Sequence, residues 1–147
     1  MDQDDDGMKY CETTIKVRFN EIDAFQVAWH GHYVSWMEVG RNDLAGRFGL
    51  DAGQIAAAGY GAPVVFLELK YLRPARGGDV LRVQTSLKRM ETATLEFLTT
   101  ILNGDGSKCA TGRVVHGLTD GNGTLQYSLP SLIRERVEQL LAWQEGE

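Results

Sequence analysis

The stretch from Val17 to Arg41 constrains the fold most, because the spacing of its apolar residues changes within it. Ile15, Val17 and Phe19 alternate with polar residues, which predicts a half-buried strand with these three on its buried side. After His30 the apolar residues recur every three or four positions, which predicts one buried helical stripe. The stripe consists of Tyr33, Trp36, Met37, Gly40, Leu44 and Phe48. A glycine inside it predicts a close contact between helix and sheet.

The rest of the chain predicts strands in hairpin succession, from about residue 62 to residue 119. Turns rich in glycine and proline separate them, and Pro130 opens a C-terminal helix. Consecutive strands with short turns form antiparallel sheets, and the long striped helix must bury itself on such a sheet. We therefore predict an α+β fold in which an antiparallel sheet wraps around a long central helix. Residues 11–147 are predicted as a single domain, and residues 1–10 as an acidic disordered tail.

Composition and apolar runs indicate which partners the protein can bind and in which compartment it is found. The chain is 43% hydrophobic and 24% charged, with a formal net charge of −5, which is ordinary for a globular protein and offers no broad basic surface for nucleic acid. No apolar run approaches the ~20 residues that span a membrane. The N-terminus lacks the basic-then-apolar pattern of a signal peptide, so we expect a cytoplasmic protein. Cys11 and Cys109 are expected to be free thiols.

The opening stretch also carries a family motif. Val17-Arg18-Phe19 is followed by two acids, Glu21 and Asp23. The later motif positions are Val27, Trp29, His30, Tyr33, Glu38 and Arg41, and a Gly-Asp turn follows at residues 71–79. This pattern resembles the hotdog-fold acyl-CoA thioesterases of the 4-hydroxybenzoyl-CoA thioesterase family. The resemblance covers about residues 13–130 and implies the hotdog fold.

The resemblance implies an acyl-CoA thioesterase that hydrolyses an acyl-CoA to a free acid and CoA, without metal or other cofactor. Asp23 would act as nucleophile or as general base. The start of the long helix, near Gly31, would donate backbone N–H groups to the oxyanion that forms. His30 would position water and substrate.

The resemblance further implies how substrate and subunits bind. Tyr33 would line the acyl pocket, and a second subunit would contribute residues near Val64, Val65 and Phe66. Arginine and lysine side chains would hold the phosphates of CoA. The candidates are Arg73, Arg76, Lys88, Arg89 and Arg113. Family members pair their sheets edge to edge, so we expect a homodimer or homotetramer.

The motif also has departures, which leave alternatives open. Phe25 and Gln26 replace a glycine-bearing turn, and His32 stands where the family usually has asparagine. Asp23 could instead serve only to form the turn. The alternative functions are a non-catalytic acyl-CoA-binding protein and a hotdog hydratase or dehydratase. A metal site at Asp23, His30 and His32 is disfavoured, because residues two apart on a helix point in different directions.

Overall fold

A computed structural model describes residues 2–3 and 8–146 of the chain. Its elements are β1 (Asp2–Gln3), β2 (Lys9–Lys16), a short 3-10 turn (Phe19–Glu21), α1 (His32–Gly46), α2 (Ala52–Ala57), β3 (Val64–Tyr71), β4 (Val80–Lys88), β5 (Thr94–Leu102), β6 (Lys108–Gly117) and α3 (Ser131–Gln144). Residues 1 and 4–7 of the predicted acidic tail lie outside the described residues. The first long strand, β2, begins at Lys9, so it includes the last two residues of the predicted tail.

The strands form one antiparallel sheet in the order β1-β2-β4-β5-β6-β3. The two residues of β1 pair only with the start of β2, so five long strands make up the body of the sheet. Helix α1 lies across β2, β4 and β5. The predicted antiparallel sheet around a long helix is therefore confirmed.

Helix α1 presses closely on the sheet at Gly40, as its place in the stripe predicted. A Cβ atom at Gly40 would lie 2.6 Å from the Thr85 hydroxyl and 2.7 Å from a methyl group of Val83. Tyr33, Trp36 and Met37 are buried in one core cluster, and Leu44 belongs to a second cluster, which also contains α3 residues. The long helix thus joins both halves of the core.

One expectation for the first strand is wrong. The strand ends at Lys16, and Phe19 opens the 3-10 turn with 88% of its surface exposed. The chain leaves the sheet here because the carboxylate of Glu21 accepts a hydrogen bond of 2.7 Å from the Arg18 backbone N–H. The alternation therefore ends at Val17, which is buried.

Strand β3 lies at the edge of the sheet and pairs only with β6. The first half of β3 is apolar, and its side chains are exposed. Val64, Val65, Phe66 and Leu67 are between 41% and 57% exposed. An apolar edge strand with unpaired backbone groups is a surface on which another strand can pair.

Candidate active site

The turn that carries Asp23 keeps the geometry of a glycine turn without glycine. The Gln26 N–H donates to the Asp23 carbonyl at 3.0 Å, and the Asp23 N–H donates to the Val27 carbonyl at 2.8 Å. Gln26 has a φ of 64°, and it is the one non-glycine residue with positive φ in the described chain. The departure at Gln26 therefore leaves the backbone of the turn closed, at the cost of a strained residue.

Asp23 itself stabilises this turn. One of its carboxylate oxygens, Oδ1, accepts a hydrogen bond of 2.8 Å from the Phe25 N–H. Within the described residues Oδ2 accepts no hydrogen bond, so one oxygen of the group is free to act on a substrate. Phe25 is 84% exposed and does not cover the carboxylate.

Glu21, the first acid of the motif, is buried and accepts hydrogen bonds from two parts of the chain. Its side chain accepts from the Arg18 N–H and, at 3.3 Å, from the indole N–H of Trp36 in α1. Nδ1 of His32 lies 4.0 Å from the same carboxylate. Burial by itself raises the pKa of Glu21, but the hydrogen bonds from Arg18 and Trp36 outweigh burial and hold the pKa below its ordinary value. Glu21 thus fixes the turn to the helix, a role that motif matching did not indicate.

Helix α1 begins beside this turn with an open N-terminus. Gly31 is its N-cap, and in the described chain no side chain caps the first turn. A Cβ atom at Gly31 would lie 2.1 Å from a ring carbon of Trp29, so a larger residue here would displace the half-exposed Trp29 ring. Uncapped N–H groups at a helix start carry partial positive charge and bind anions.

His30 and Tyr33 line a cleft of about 230 Å³ together with Tyr71 and Arg73. We call it the tyrosine cleft. The Tyr71 hydroxyl donates to the His30 carbonyl at 2.8 Å, and the Tyr33 hydroxyl accepts from the Ala75 N–H at 2.9 Å. Burial raises the pKa of both phenols, so both stay protonated at neutral pH. The sequence analysis did not identify Tyr71 as a site residue, because its contact with His30 spans 41 positions.

A second and larger cleft, of about 750 Å³, opens on the other side of the turn. We call it the basic cleft, because Lys16, Arg18 and Arg76 line it together with Gln26. Asp23 lines neither of these two clefts, but its neighbours do: Ile22 lines the basic cleft and Ala28 the tyrosine cleft. The chain on either side of Asp23 therefore borders both clefts.

The remaining predicted site residues lie elsewhere. Lys88 pairs with Glu96 at 3.6 Å, and Arg89 pairs with Glu138 and Glu145 at 3.3 and 3.1 Å. Lys88 is the last residue of β4 and Arg89 follows it, so both lie about 26 Å along the strand from the end that adjoins the turn. Arg113 pairs with Glu68 and Glu96 and packs on the Phe66 ring. Val64, Val65 and Phe66 form the exposed start of β3.

Among residues 2–3 and 8–146, no three His, Cys, Asp or Glu side chains cluster in a way that could hold a metal ion. No helix in the same part of the chain is long and apolar enough to cross a membrane.

A long helix wrapped by an antiparallel sheet, with an acidic turn before the N-terminus of that helix, is the arrangement of a hotdog fold. Comparison with known proteins agrees: residues 17–143 match the thioesterase-like superfamily. The chain belongs to this superfamily. The match to this superfamily confirms the predicted class, a hotdog-fold thioester hydrolase.

Individual relatives fit the same class. A putative esterase of Synechocystis sp. is 28% identical over 134 residues, which cover 90% of this chain and 81% of that protein. The putative acyl-CoA thioesterase YneP of Bacillus subtilis is 32% identical over 78 residues, 53% of this chain and 56% of that protein. A crystal structure of a hypothetical protein from Thermus thermophilus superposes with a TM-score of 0.80 at 32% identity, covering 88% of this chain and 98% of that one.

Proposed function

We propose that the chain is an acyl-CoA thioesterase, with Asp23 as nucleophile or general base. The observation that carries the proposal is the open N-terminus of α1, which begins beside the tyrosine cleft and the Asp23 turn. A similarity to the putative acyl-CoA thioesterase of Bacillus subtilis supports CoA as the thiol. The narrower 4-hydroxybenzoyl-CoA family, a homotetramer, a cytoplasmic location and one domain over residues 11–147 remain predictions.

In this mechanism the thioester carbonyl oxygen lies against N–H groups in the first turn of α1 beyond His32, whose own N–H donates to the Trp29 carbonyl at 3.0 Å. Attack on the carbonyl carbon moves negative charge onto that oxygen, and the helix N-terminus stabilises the charge where it develops. The free oxygen of Asp23 either attacks the carbon directly or removes a proton from an attacking water. The C–S bond then breaks, and CoA leaves as a thiolate that takes up a proton. A mixed anhydride, if formed, is hydrolysed by water to the acid.

The charges in the two clefts favour Arg73 and Arg76 as the CoA-binding candidates. Lys88, Arg89 and Arg113 are already paired with carboxylates, and phosphates would have to displace those partners. Arg73 lines the tyrosine cleft and Arg76 the basic cleft. Among the described residues neither side chain forms a salt bridge, although the Asp105 carboxylate lies near enough to Arg73 for the two charges to interact. We therefore narrow the set of phosphate contacts to these two arginines.

We also propose that two copies pair along β3. Antiparallel pairing of this edge with its own copy places the start of one strand opposite the end of the other. Val64, Val65 and Phe66 of the partner subunit would then approach Tyr71 and the tyrosine cleft. This arrangement would bury the exposed apolar residues of β3 and complete the acyl pocket.

The test of the function is release of free thiol from a panel of short, long and aromatic acyl-CoAs. Replacement of Asp23 by asparagine should lower kcat by about 10²–10⁴-fold, the usual contribution of such a group, while circular dichroism stays unchanged. Asp120 is the matched control, because its carboxylate also accepts from the backbone N–H two residues on and it lines neither cleft. Asp120→Asn should keep full activity. An Asp23→Asn enzyme that hydrolyses at the wild-type rate would exclude the proposed role.

A second function is favoured by one observation: Asp23 lines neither cleft and already holds the Phe25 N–H. In a protein that binds acyl-CoA without hydrolysing it, Asp23 would only have to stabilise the turn. Micromolar binding of a non-hydrolysable acyl-CoA, with no thiol release from any substrate in the panel, would select the binding protein. Addition of water to an enoyl-CoA would select a hydratase.

A further inference from the structure

The start of α1 is held from outside the helix by one tyrosine. Tyr71 is the last residue of the edge strand β3, and its hydroxyl donates to the His30 carbonyl at 2.8 Å. Its ring also stands edge-on against the ring of Tyr33, with the centroids 5.1 Å apart. Tyr33 lies in the first turn of α1. The edge strand therefore contacts both the chain just before the helix and the first turn of the helix.

The sheet fixes the position of Tyr71. Its backbone pairs with Ala110 in β6. Directly after it, the N–H groups of Leu72 and Arg73 both donate to the Cys109 carbonyl, at 2.8 and 3.1 Å. Because the backbone is held on both sides of the residue, the hydroxyl is directed to one place at the start of α1.

The His30 carbonyl is the acceptor that α1 would otherwise use to begin earlier. In an α-helix the carbonyl of one residue accepts from the N–H four residues on, so the regular donor to this carbonyl is the Val34 N–H. The helix begins only at His32, and in the described chain the Val34 N–H donates to no carbonyl. The Tyr71 hydroxyl takes its place on His30. The Val34 N–H therefore stays open at the helix start.

We propose that Tyr71 is a positioning residue for thioester hydrolysis, which keeps the Val34 N–H available to the oxyanion by holding the His30 carbonyl. Without the hydroxyl, that carbonyl has no other donor among the described residues, and the Val34 N–H can turn to it. The substrate oxygen would then compete with a backbone carbonyl for one of its donors. This role rests on the proposed thioesterase function and requires no contact between Tyr71 and a reacting atom.

A contact with the substrate is the alternative role for the same side chain. Tyr71 lines the tyrosine cleft and is 48% exposed, so a bound acyl-CoA could touch it directly. The two roles differ in their kinetics. Loss of a contact made equally in ground state and transition state raises KM, whereas loss of a donor to the developing charge lowers kcat.

The first experiment measures thiol release by Tyr71→Phe, which keeps the ring and removes only the hydroxyl. We expect kcat to fall by roughly 10–100-fold with little change in KM, since complete removal of one oxyanion donor costs about 10²–10³-fold. Tyr10→Phe is the matched control. The Tyr10 hydroxyl also makes a side-chain hydrogen bond, from Gln84 at 3.2 Å, but the residue lines neither cleft. It should keep the wild-type kcat, and circular dichroism should be unchanged in both variants.

The second experiment follows amide hydrogen exchange of Val34 by NMR in the whole protein. An amide without a protein acceptor exchanges readily, so in the wild type Val34 should be unprotected. In Tyr71→Phe it should exchange at least about tenfold more slowly, because it gains the His30 carbonyl. The amide of Leu44, in the last turns of the same helix, is the internal reference and should not change.

These measurements separate this role from its alternatives. An unchanged kcat in Tyr71→Phe, or unchanged exchange at Val34, would overturn the proposal, and a raised KM with wild-type kcat would assign Tyr71 to substrate contact instead. A wild type that hydrolyses no acyl-CoA in the panel would refute the proposed function and the role of Tyr71 together. Failure of the Tyr71 predictions in an active wild type would refute this role alone.

Discussion

Replacing Gln26 by glycine should stabilise the protein, although it removes a side chain. Gln26 holds a φ of 64° in the turn that carries Asp23. A non-glycine residue in this conformation costs about 1–2 kcal/mol, because Cβ approaches the following carbonyl oxygen. Glycine removes that strain but loses about 0.5–1 kcal/mol more backbone entropy on folding. The difference predicts a gain of roughly 0.5–1 kcal/mol in the free energy of unfolding.

The assay is urea unfolding followed by intrinsic fluorescence, at one protein concentration for all variants, because any assembly would make stability depend on concentration. Ala24→Gly is the matched control, since Ala24 is exposed in the same turn and has no positive φ. There the entropy loss acts alone and should destabilise by about 0.5–1 kcal/mol. The two variants should therefore move in opposite directions. A loss of stability in Gln26→Gly equal to that in Ala24→Gly would refute the assignment of strain to Gln26.

Three further outcomes follow from the packing, the buried histidine and the sheet edge. Gly40→Ala should destabilise by about 1–3 kcal/mol, because its methyl group would overlap atoms of the sheet, whereas Ser35→Ala on the exposed side of the same helix should change urea unfolding little. Burial lowers the pKa of His116 below 6.5, so the unfolded chain takes up the proton first. Stability should be complete above pH 6.5 and fall as pH decreases below it, and His116→Phe should lack that part of the slope between pH 7 and pH 5. Leu67→Glu on the edge strand β3 should reduce assembly in light scattering; an unchanged molar mass would contradict pairing along β3.

Local spacing predicted the elements well because each element has its own period. The stripe of α1 and the alternation of β4 are properties of neighbouring residues, and burial follows them: Trp36 and Met37 are buried, as are Leu81 and Val83. The segment that forms β3 is equally apolar, but the strand lies at the edge of the sheet and Val65 is 57% exposed. Strand order is set by contacts between distant segments, which a local period does not contain.

The site residues that the sequence predicted lie close together in the chain, whereas the residue that it missed lies far away in the chain. Asp23, His30 and Gly31 lie within nine consecutive positions, so a motif could bring them together. Tyr71 reaches the site through a pairing of sheet and loop that no short pattern encodes. Phe19 was placed on the buried side of a strand because nothing in the alternation reveals that Glu21 ends it.

The buried carboxylate of Glu21 has a consequence for engineering. Its hydrogen bonds with the chain before the acidic turn and with the indole of Trp36 tie the turn to the first half of α1. In the mechanism proposed above, this connection would hold the Asp23 oxygen and the amides at the helix start in place, so that less substrate binding energy would go into aligning them. Altered selectivity should therefore be sought in the loop at residues 72–79 and along β3, where the wall of each cleft can be rebuilt without disturbing that alignment.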